Sequence, residues 1–537
     1  MDCRAIPFRQ LPHQPKLFVD YLEHFERVAN FYAHPPTIKA VERFARKLDF
    51  PKARRTEVAA ILREQNLSFG AGSATLENLG RLENGAVAVV SGQQVGLFSG
   101  PAYAIYKALT AVQIAQELTR AGIEAVPVFW MATEDHDLDE VRHVTWLQDG
   151  KLHRFELPAD AASIQPVGRI KLGAAVDEPS HAAADCLTGQ GGELLAQILR
   201  ESYRPGETYG SSFAKLFARL FAEQGLILMD PLDAGLHRVA APVYRQAVEQ
   251  REELNQKLLE RGKELDRAGF AAQVKVGAKS TLLFFMDDGG RQVITASGGK
   301  FQASEKTWTA EELEKLAASE PENFSPNALM RPVVQDFLLP TVAYIGGPAE
   351  ISYFAQSEVV YRHLLGRMPV MLPRSGFTLV DAKATKLLKK YAMKVEEVWA
   401  GSQTVRKKME TASVPKNIAS TFEKNRKEVS SLLARLGKQL AKLDPTLLEP
   451  VQTARKKIEY QLEKLLRKTG RAQDLKTKLI AAHQEYLESI LYPHKTLQSR
   501  ELCLLPFLAR WGAGGLGELQ KLSTGKKIGN HFIVPLP

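Results

Sequence analysis

A doubly wound α/β core with a late helical insertion is the fold class this sequence predicts, on three observations. Short apolar, β-branched runs alternate with amphipathic helical stretches through residues 1–380. The segments that follow three of those runs are rich in glycine, glutamine or carboxylates. After residue 380 the composition changes to long, charged, helix-forming stretches.

Residues 1–70 read as helices, because "TIKAVERFARKL" and "RTEVAAILREQN" space apolar residues three and four apart, with Pro35-Pro36 and Pro51 as boundaries. Ala86–Val90 is short and apolar enough for a buried parallel strand, Tyr103–Ala121 repeats at helical spacing, and Ala125–Met131 is a second buried run. Together they make a βαβ unit. "LHRFEL" and "GRIKL" read as short strands, an antiparallel addition. "GSSFAKLFARLFAEQGLILMDPLD" repeats the scheme, with a helix, a strand at Leu226–Met229 and a turn at Asp230-Pro231. "TLLFFMDDGGRQVI" predicts a hairpin about Asp288-Gly289-Gly290. Thr341–Ile345 is a strand leading through a glycine turn into a helix, and "MPVMLPRSGFTLV" supplies the last strand.

From Asp381 to Ser489 the chain is almost entirely helix-forming. Val429, Leu432, Leu436 and Leu443 fall on one face, and Val451, Ala454, Ile458, Leu462 and Leu465 follow at steps of three and four, with Asp444-Pro445 between the two stretches. This predicts a helical hairpin or coiled coil with a basic outer face. "LCLLPFLARWGAGGL" and "HFIVPLP" are apolar again and return to the body. The predicted organisation is a core over 1–380 with N-terminal helices and connecting insertions, a helical insertion over 381–490, and a returning segment over 491–537.

Residues 381–500 hold 26 lysines and arginines against 13 acids, whereas the whole chain carries +10. The remainder is slightly acidic, so the basic character belongs to the helices and gives the body no reason to bind nucleic acid. No apolar run reaches about 18 residues, and the N-terminus lacks the apolar region of a secretory signal. Cys3, Cys186 and Cys503 lie far apart, which favours neither a disulfide framework nor a zinc site. These features predict a cytoplasmic protein with no membrane span.

In open α/β sheets ligands bind beyond the carboxyl ends of the strands, so chemistry is expected after Val90, Met131 and Ile345. The first stretch is Ser91–Lys107. Gly92, Gly96 and Gly100 permit close backbone approach, and Pro101 suits a first helical turn whose free N–H groups would face an anion, with Lys107 adding charge. Gln93 and Gln94 offer donors and acceptors to a polar substrate, and Ser99, Gly100 and Tyr103 complete this candidate set. The stretch is neither a Walker A loop nor GxGxxG, and a tight turn that merely needs its glycines is the competing reading. The second stretch is Glu134-Asp135-His136-Asp137 with Asp139, Glu140 and His143. Carboxylates around a histidine make it a base near neutral pH or hold a divalent cation through oxygen. Asp135 and His136 are assigned to the site, Asp139 and Glu140 to a helix start, and His143 to structure. The third stretch is Arg331–Gln356: Gly346 and Gly347 follow a strand, and Glu350, Tyr353 and Gln356 share a helix face. Arg331 and Arg374 suit bidentate binding of carboxylate or phosphate, or else surface salt bridges. There is no GxSxG elbow, no HExxH and no kinase motif set.

"SGQQVGLFSGPAYAIYK", "VPVFWMATEDHDLDEVRHV" and "RPVVQDFLLPTVAYIGGPAEISYFAQ" resemble, in content and order, the cysteine-adding enzyme family of bacillithiol biosynthesis, the cysteine ligases. The resemblance covers essentially the whole chain. It implies a Rossmann-like core related to nucleotidyltransferases and class I synthetases, and a coiled coil that mediates a homodimer. It implies the last step of the pathway, in which cysteine is joined through its carboxyl group to the amine of glucosaminyl-malate. Carboxyl activation then makes ATP, with or without Mg2+, the expected co-substrate, with phosphate charge met by Lys107 and the helix start after Gly100. Asp135 or His136 would keep the acceptor amine neutral, and Arg331 and Arg374 would hold the malate carboxylates. "SGPAYAIYK" stands where a synthetase carries a paired-histidine motif, so ATP follows from thermodynamic need rather than from a nucleotide signature; an already activated cysteine donor meets the same need. Two other functions stay open: another nucleotidyl-transfer or ligase reaction on a related fold, and a basic coiled-coil scaffold that binds an acidic partner or nucleic acid through residues 381–500.

Overall fold

The computed structural model describes residues 3–158, 165–287, 290–512 and 514–536. At its centre lies a parallel sheet of β1 (Val87–Gln93), β2 (Ala125–Met131), β3 (Ile227–Met229), β4 (Thr341–Gly346) and β5 (Val370–Pro373). The spatial order is β5-β4-β1-β2-β3. Strand β1 runs beside β2 with Val87 opposite Ala125 and Gln93 opposite Met131, and β4 takes its other edge with Ile345 opposite Ser91. Winding proceeds outward from β1 in both directions and reverses between β1 and β4. In a Rossmann-type sheet that point is where a crevice opens.

Both faces of this sheet are covered, which is why β2 to β5 are buried throughout rather than alternating. Helix α1 (Tyr103–Arg120) packs on β1 and β2, with Ala104, Ala108, Ala111 and Ala115 buried along it. Helix α2 (Arg331–Leu338) has Pro332 in its first turn, and α3 (Pro348–Leu364) starts on Pro348, where a missing N–H costs nothing. The Glu350 carboxylate accepts the Gly347 N–H at 2.7 Å and caps α3.

The last predicted strand divides. Val370–Pro373 joins the central sheet, whereas Gly376–Val380 enters a second sheet in the order Arg4–Pro7, Asn530–Pro535, Gly376–Val380. Arg4–Pro7 is thus a strand inside a region read as helical, because its partner lies at the far end of the chain. "GRIKL" is not a strand. Val167–Arg169 forms a 3-10 turn and Lys171 makes one isolated bridge to Thr208. "LHRFEL" does pair, as Lys151–Glu156 against His143–Gln148. The hairpin strands Ser280–Asp287 and Gly290–Ser297 pair antiparallel inside a separate five-stranded sheet, while Asp288 and Gly289 lie outside the described residues.

Helices α4 (Lys416–Leu443) and α5 (Leu448–Thr477) fold back on each other, and α6 (Leu479–Leu491) re-enters the body through buried Leu487, Ile490 and Leu491. The seam between α4 and α5 runs through buried Leu433 and Gly437, with Val451 facing the glycine. The face predicted to be packed lies to one side: Leu432, Leu436 and Leu443 are exposed, as are Ile458 and Leu465. Two adjacent apolar stripes run along α4, and only one of them faces α5.

Candidate functional site

The segments leaving β1, β2 and β4 meet over the point where the winding reverses, around a cleft of about 310 Å³. Gln93 and Gln94 enter it from β1, Asp135 and Glu140 from β2, and Gly347, Glu350 and Tyr353 from β4 and α3. Tyr103 and Lys107 of α1, Arg331 and Gln335 of α2, Arg374 beyond β5 and Arg500 close its walls.

Lys107 organises the floor. It is 1% exposed, and its ammonium donates to the Gly92 carbonyl at 2.6 Å, to Gln93 Oε1 at 2.8 Å and to Glu350 Oε2 at 2.5 Å. Burial pulls its pKa down and Glu350 opposes that pull. Glu350 also accepts the Tyr344 hydroxyl at 2.9 Å, and Gln93 Nε2 donates to the Tyr103 hydroxyl at 3.0 Å. A continuous polar chain thus runs beneath the cleft from Tyr103 to Tyr344. Gly92 has no room for a side chain, because a Cβ there would lie 2.6 Å from the Trp130 carbonyl oxygen. All three ammonium protons of Lys107 are engaged by the protein, so it positions its neighbours rather than presenting a free charge.

The free cationic character comes from arginines. Arg374 is buried beside the Tyr103 ring, its guanidinium 5.6 Å from the centroid, and it donates to the Ser375 carbonyl at 3.2 Å. Burial and then the neighbouring Arg500 push its pKa down to about 10.

Opposite lies an acidic and basic cluster. Arg331 grips Asp135 with both terminal nitrogens, Nη1 at 3.2 Å from Oδ2 and Nη2 on Oδ1, and Arg291 Nη1 stands 3.5 Å from Oδ1. Burial alone would raise the Asp135 pKa, but Arg331 and Arg291 outweigh it and hold the carboxyl below its ordinary value. Arg291 is fixed in turn by the Ser325 hydroxyl at 3.1 Å and the Pro326 carbonyl at 3.0 Å, and lies over the Phe284 ring. Behind them Glu134 is 1% exposed and neither of its oxygens completes a hydrogen bond, although the Ser325 hydroxyl is placed to favour its ionised form. Burial drives Glu134 up to about 7 against the pull of the two arginines. The loop is held by backbone: Val167 N–H donates to the Asp135 carbonyl at 2.7 Å and Gly168 N–H to the Thr133 carbonyl at 2.9 Å. A second cavity of about 490 Å³, walled by Leu254, Leu258, Val276 and Phe284, opens on the far side; Asp135 and Arg331 line both.

Several predicted residues are not brought into the cleft. His136 is exposed and lines neither cavity, because the chain turns outward after Asp135. Ser99 and Gly100 are buried in the turn, at φ +81° and +64°; a Cβ on Gly96 would lie 2.9 Å from Gly100 Cα, and Ser99 contacts Cys503. The start of α1 is occupied by the chain itself, the Ala102 N–H donating to the Leu502 carbonyl at 2.8 Å. Gly346 lies behind Gly347, its carbonyl accepting the Arg374 N–H. Gln356, one turn beyond Tyr353, spends its amide on the backbone of Gln273 and Val274. Four further residues line these cavities without having been expected there: Arg291, Arg500, Gln335 and Glu140, the last accepting from Gln94 Nε2 at 2.8 Å. Glu140 and Gln335 sit within the quoted motifs, but nothing local marks Arg291 or Arg500. Among the described residues no three His, Cys, Asp or Glu side chains converge as a metal-binding group, and no helix is long and apolar enough to cross a membrane.

With this geometry in place, comparison with known proteins is specific. Residues 1–375 match the family described as Bacillithiol biosynthesis BshC, N-terminal Rossmann-like domain, and residues 377–534 match its C-terminal coiled-coil domain. The chain is 42% identical to a protein of Koribacter versatilis named "Putative cysteine ligase BshC", over 95% of each chain. It is 41% identical to one of the same name from Solibacter usitatus, over 95% of this chain and 96% of the other, and 32% identical to another from Chlorobaculum tepidum. The two domain matches in sequence, the parallel Rossmann-like sheet and the full-length identities agree: the chain belongs to the BshC family of bacillithiol biosynthesis.

Proposed function

We propose that this cleft joins L-cysteine, through its carboxyl group, to the amine of glucosaminyl-malate, the last step of bacillithiol synthesis, with ATP as activating co-substrate. The supporting observation is that Gln94, Asp135 and Gly347, from three separate strand ends, line one polar cleft at the switch point of the sheet, in a chain whose relatives bear a cysteine-ligase name.

The chemistry has three requirements. A carboxylate and an ammonium do not condense in water, so one cysteine carboxyl oxygen must depart with the activating phosphoryl group. Arg374 and Arg500 face the cleft and suit that anionic charge, whereas Lys107 is already satisfied. The acceptor amine must lose a proton before it attacks. Asp135 is a poor base while two guanidiniums hold it, and becomes an ordinary carboxylate when substrate carboxylates occupy Arg331. The substrates must also be oriented, for which Gln93, Gln94, Tyr103 and Tyr353 supply donors and acceptors around the cleft. The exposed stripe of Leu432, Leu436 and Leu443 supports assembly as a homodimer through the helical hairpin.

The test is direct. Purified protein given glucosaminyl-malate, cysteine and ATP yields bacillithiol by mass spectrometry, and Asp135→Asn yields none while remaining folded. Absence of product from the wild-type protein overturns the assignment.

A further inference from the structure

The cluster between the two cavities is short of one component. Arg331 and Arg291 converge on Asp135 from both sides, and Asp135 reaches them from the loop after β2. A carboxylate held bidentately at the wall of a polar cleft occupies the position a substrate carboxylate would take. Glu134, next in the chain, is aimed the other way, into the protein. The groups that face it are the Arg331 and Arg291 guanidiniums, the Asp135 carboxylate, and the Ser325 and Tyr244 hydroxyls. Arg331 Nε is likewise buried without a hydrogen-bond partner.

Two guanidiniums balance two carboxylates as the cluster stands. A third carboxylate arriving at Arg331 leaves three anions against two cations in a largely dehydrated space. The deepest of the three, without a completed hydrogen bond, is Glu134, and it is the group on which charge is most costly. We infer that Arg331 and Arg291 form a carboxylate receptor in which Asp135 stands in for the ligand, and that Glu134 is a positioning residue that takes up a proton from solvent when a ligand carboxylate displaces Asp135. The exchange leaves Asp135 unpaired and ionised beside the cleft. The inference rests on the proposed reading only in naming malate as the carboxylate source.

The experiment is calorimetric titration of the full-length protein with L-malate, which is fully ionised near neutral pH, in two buffers of different ionisation enthalpy. The wild-type protein takes up as much as about half a proton per malate bound near pH 7, where Glu134 already carries a proton about half the time, and up to about one near pH 8, and its affinity weakens by up to about tenfold for each pH unit above that. Glu134→Gln, checked for a single cooperative thermal unfolding transition, binds malate with no proton uptake and no such pH dependence. Equal proton uptake by both proteins, or a wild-type affinity that does not change between about pH 7 and pH 8.5, overturns the inference, the second without recourse to a variant. Failure of malate to bind at all overturns the receptor itself. Proton-linked malate binding without bacillithiol formation leaves the inference standing and removes the assigned reaction; bacillithiol formation without proton linkage does the reverse.

Discussion

At the scale of single residues the site is built on two buried charges, and each makes a measurable prediction. Lys107 is surrounded by acceptors, so replacing it with methionine leaves Glu350 without its cation at the cleft floor. Breaking a buried pair from one side costs about 3 kcal/mol. Lys107→Met should lose about that in urea unfolding, and Lys107→Met with Glu350→Gln should recover much of it; additive losses would show that the pair is not coupled. Glu134 predicts a pH effect of defined sign. Its folded pKa is raised from 4.5 to about 7, so the folded state binds the proton more tightly than the unfolded state. Wild-type stability therefore falls relative to Glu134→Gln as pH rises through that window, by a total of about 3 kcal/mol, and the gap stays constant above it. Asp135 acts oppositely, since its depressed pKa contributes stability that is lost as pH falls through its folded value. Unfolding in urea at about pH 5 and about pH 8 reads Glu134, because the Asp135 contribution changes only below the ordinary carboxylate range. Of these residues, Lys107 and Asp135 stood out in the sequence, Lys107 because its helix follows the glycine-rich stretch after β1 and Asp135 because it sits just past the end of β2. Arg291 did not, because it lies on a hairpin strand whose local pattern reports only alternation, and its role comes from a contact with a loop 156 positions away.

At the scale of elements, the loop after β2 is held by a turn that the sequence read as a strand. "GRIKL" looks extended because Ile170 and Leu172 alternate with charged residues, yet the 3-10 turn at Val167–Arg169 lets its backbone bond to the carbonyls of Thr133 and Asp135. Gly168 makes this possible, since a Cβ there would sit 2.4 Å from Thr133 Cβ. Gly168→Ala must push the two segments apart, at a cost of about 1–3 kcal/mol, and it moves Asp135 off Arg331. The expected outcome is a raised KM for the acceptor with unchanged far-ultraviolet helicity; an unaltered KM would separate the turn from the site. Elements buried on both faces were legible: Ala125–Met131 forms as expected and α1 begins at Tyr103, because continuous apolar runs and a helical repeat reflect local burial. Elements that depend on distant partners were not, as Arg4–Pro7 shows by pairing with Asn530–Pro535.

At the scale of the whole molecule, the chain closes on itself. Its terminal strand lies between Arg4–Pro7 and Gly376–Val380, and Gln498 ties the returning segment to Leu379 through bonds of 2.7 and 2.8 Å. The helical hairpin is thereby anchored at both ends in the body, which leaves its outer surface for other contacts. That surface is not uniformly basic, because Lys407 pairs with Glu463, Arg426 with Glu423 and Arg455 with Glu459. Beside these pairs Leu432, Leu436 and Leu443 are 56%, 42% and 81% exposed on α4, one residue off the seam with α5. A leucine gains about 2 kcal/mol on full burial, so a stripe of this spacing, duplicated by a second copy, favours pairing of two chains. The cations of this segment outnumber the acids that could pair with them, but nucleic acid has little use for the exposed leucines between them. The wild-type protein should sediment as a dimer at micromolar concentration, whereas Leu432→Glu with Leu436→Glu should sediment as a monomer, with its cleft and its malate binding intact. A monomeric wild-type protein would leave the stripe without an occupant, and a dimer that survives both substitutions would place the interface elsewhere on the molecule.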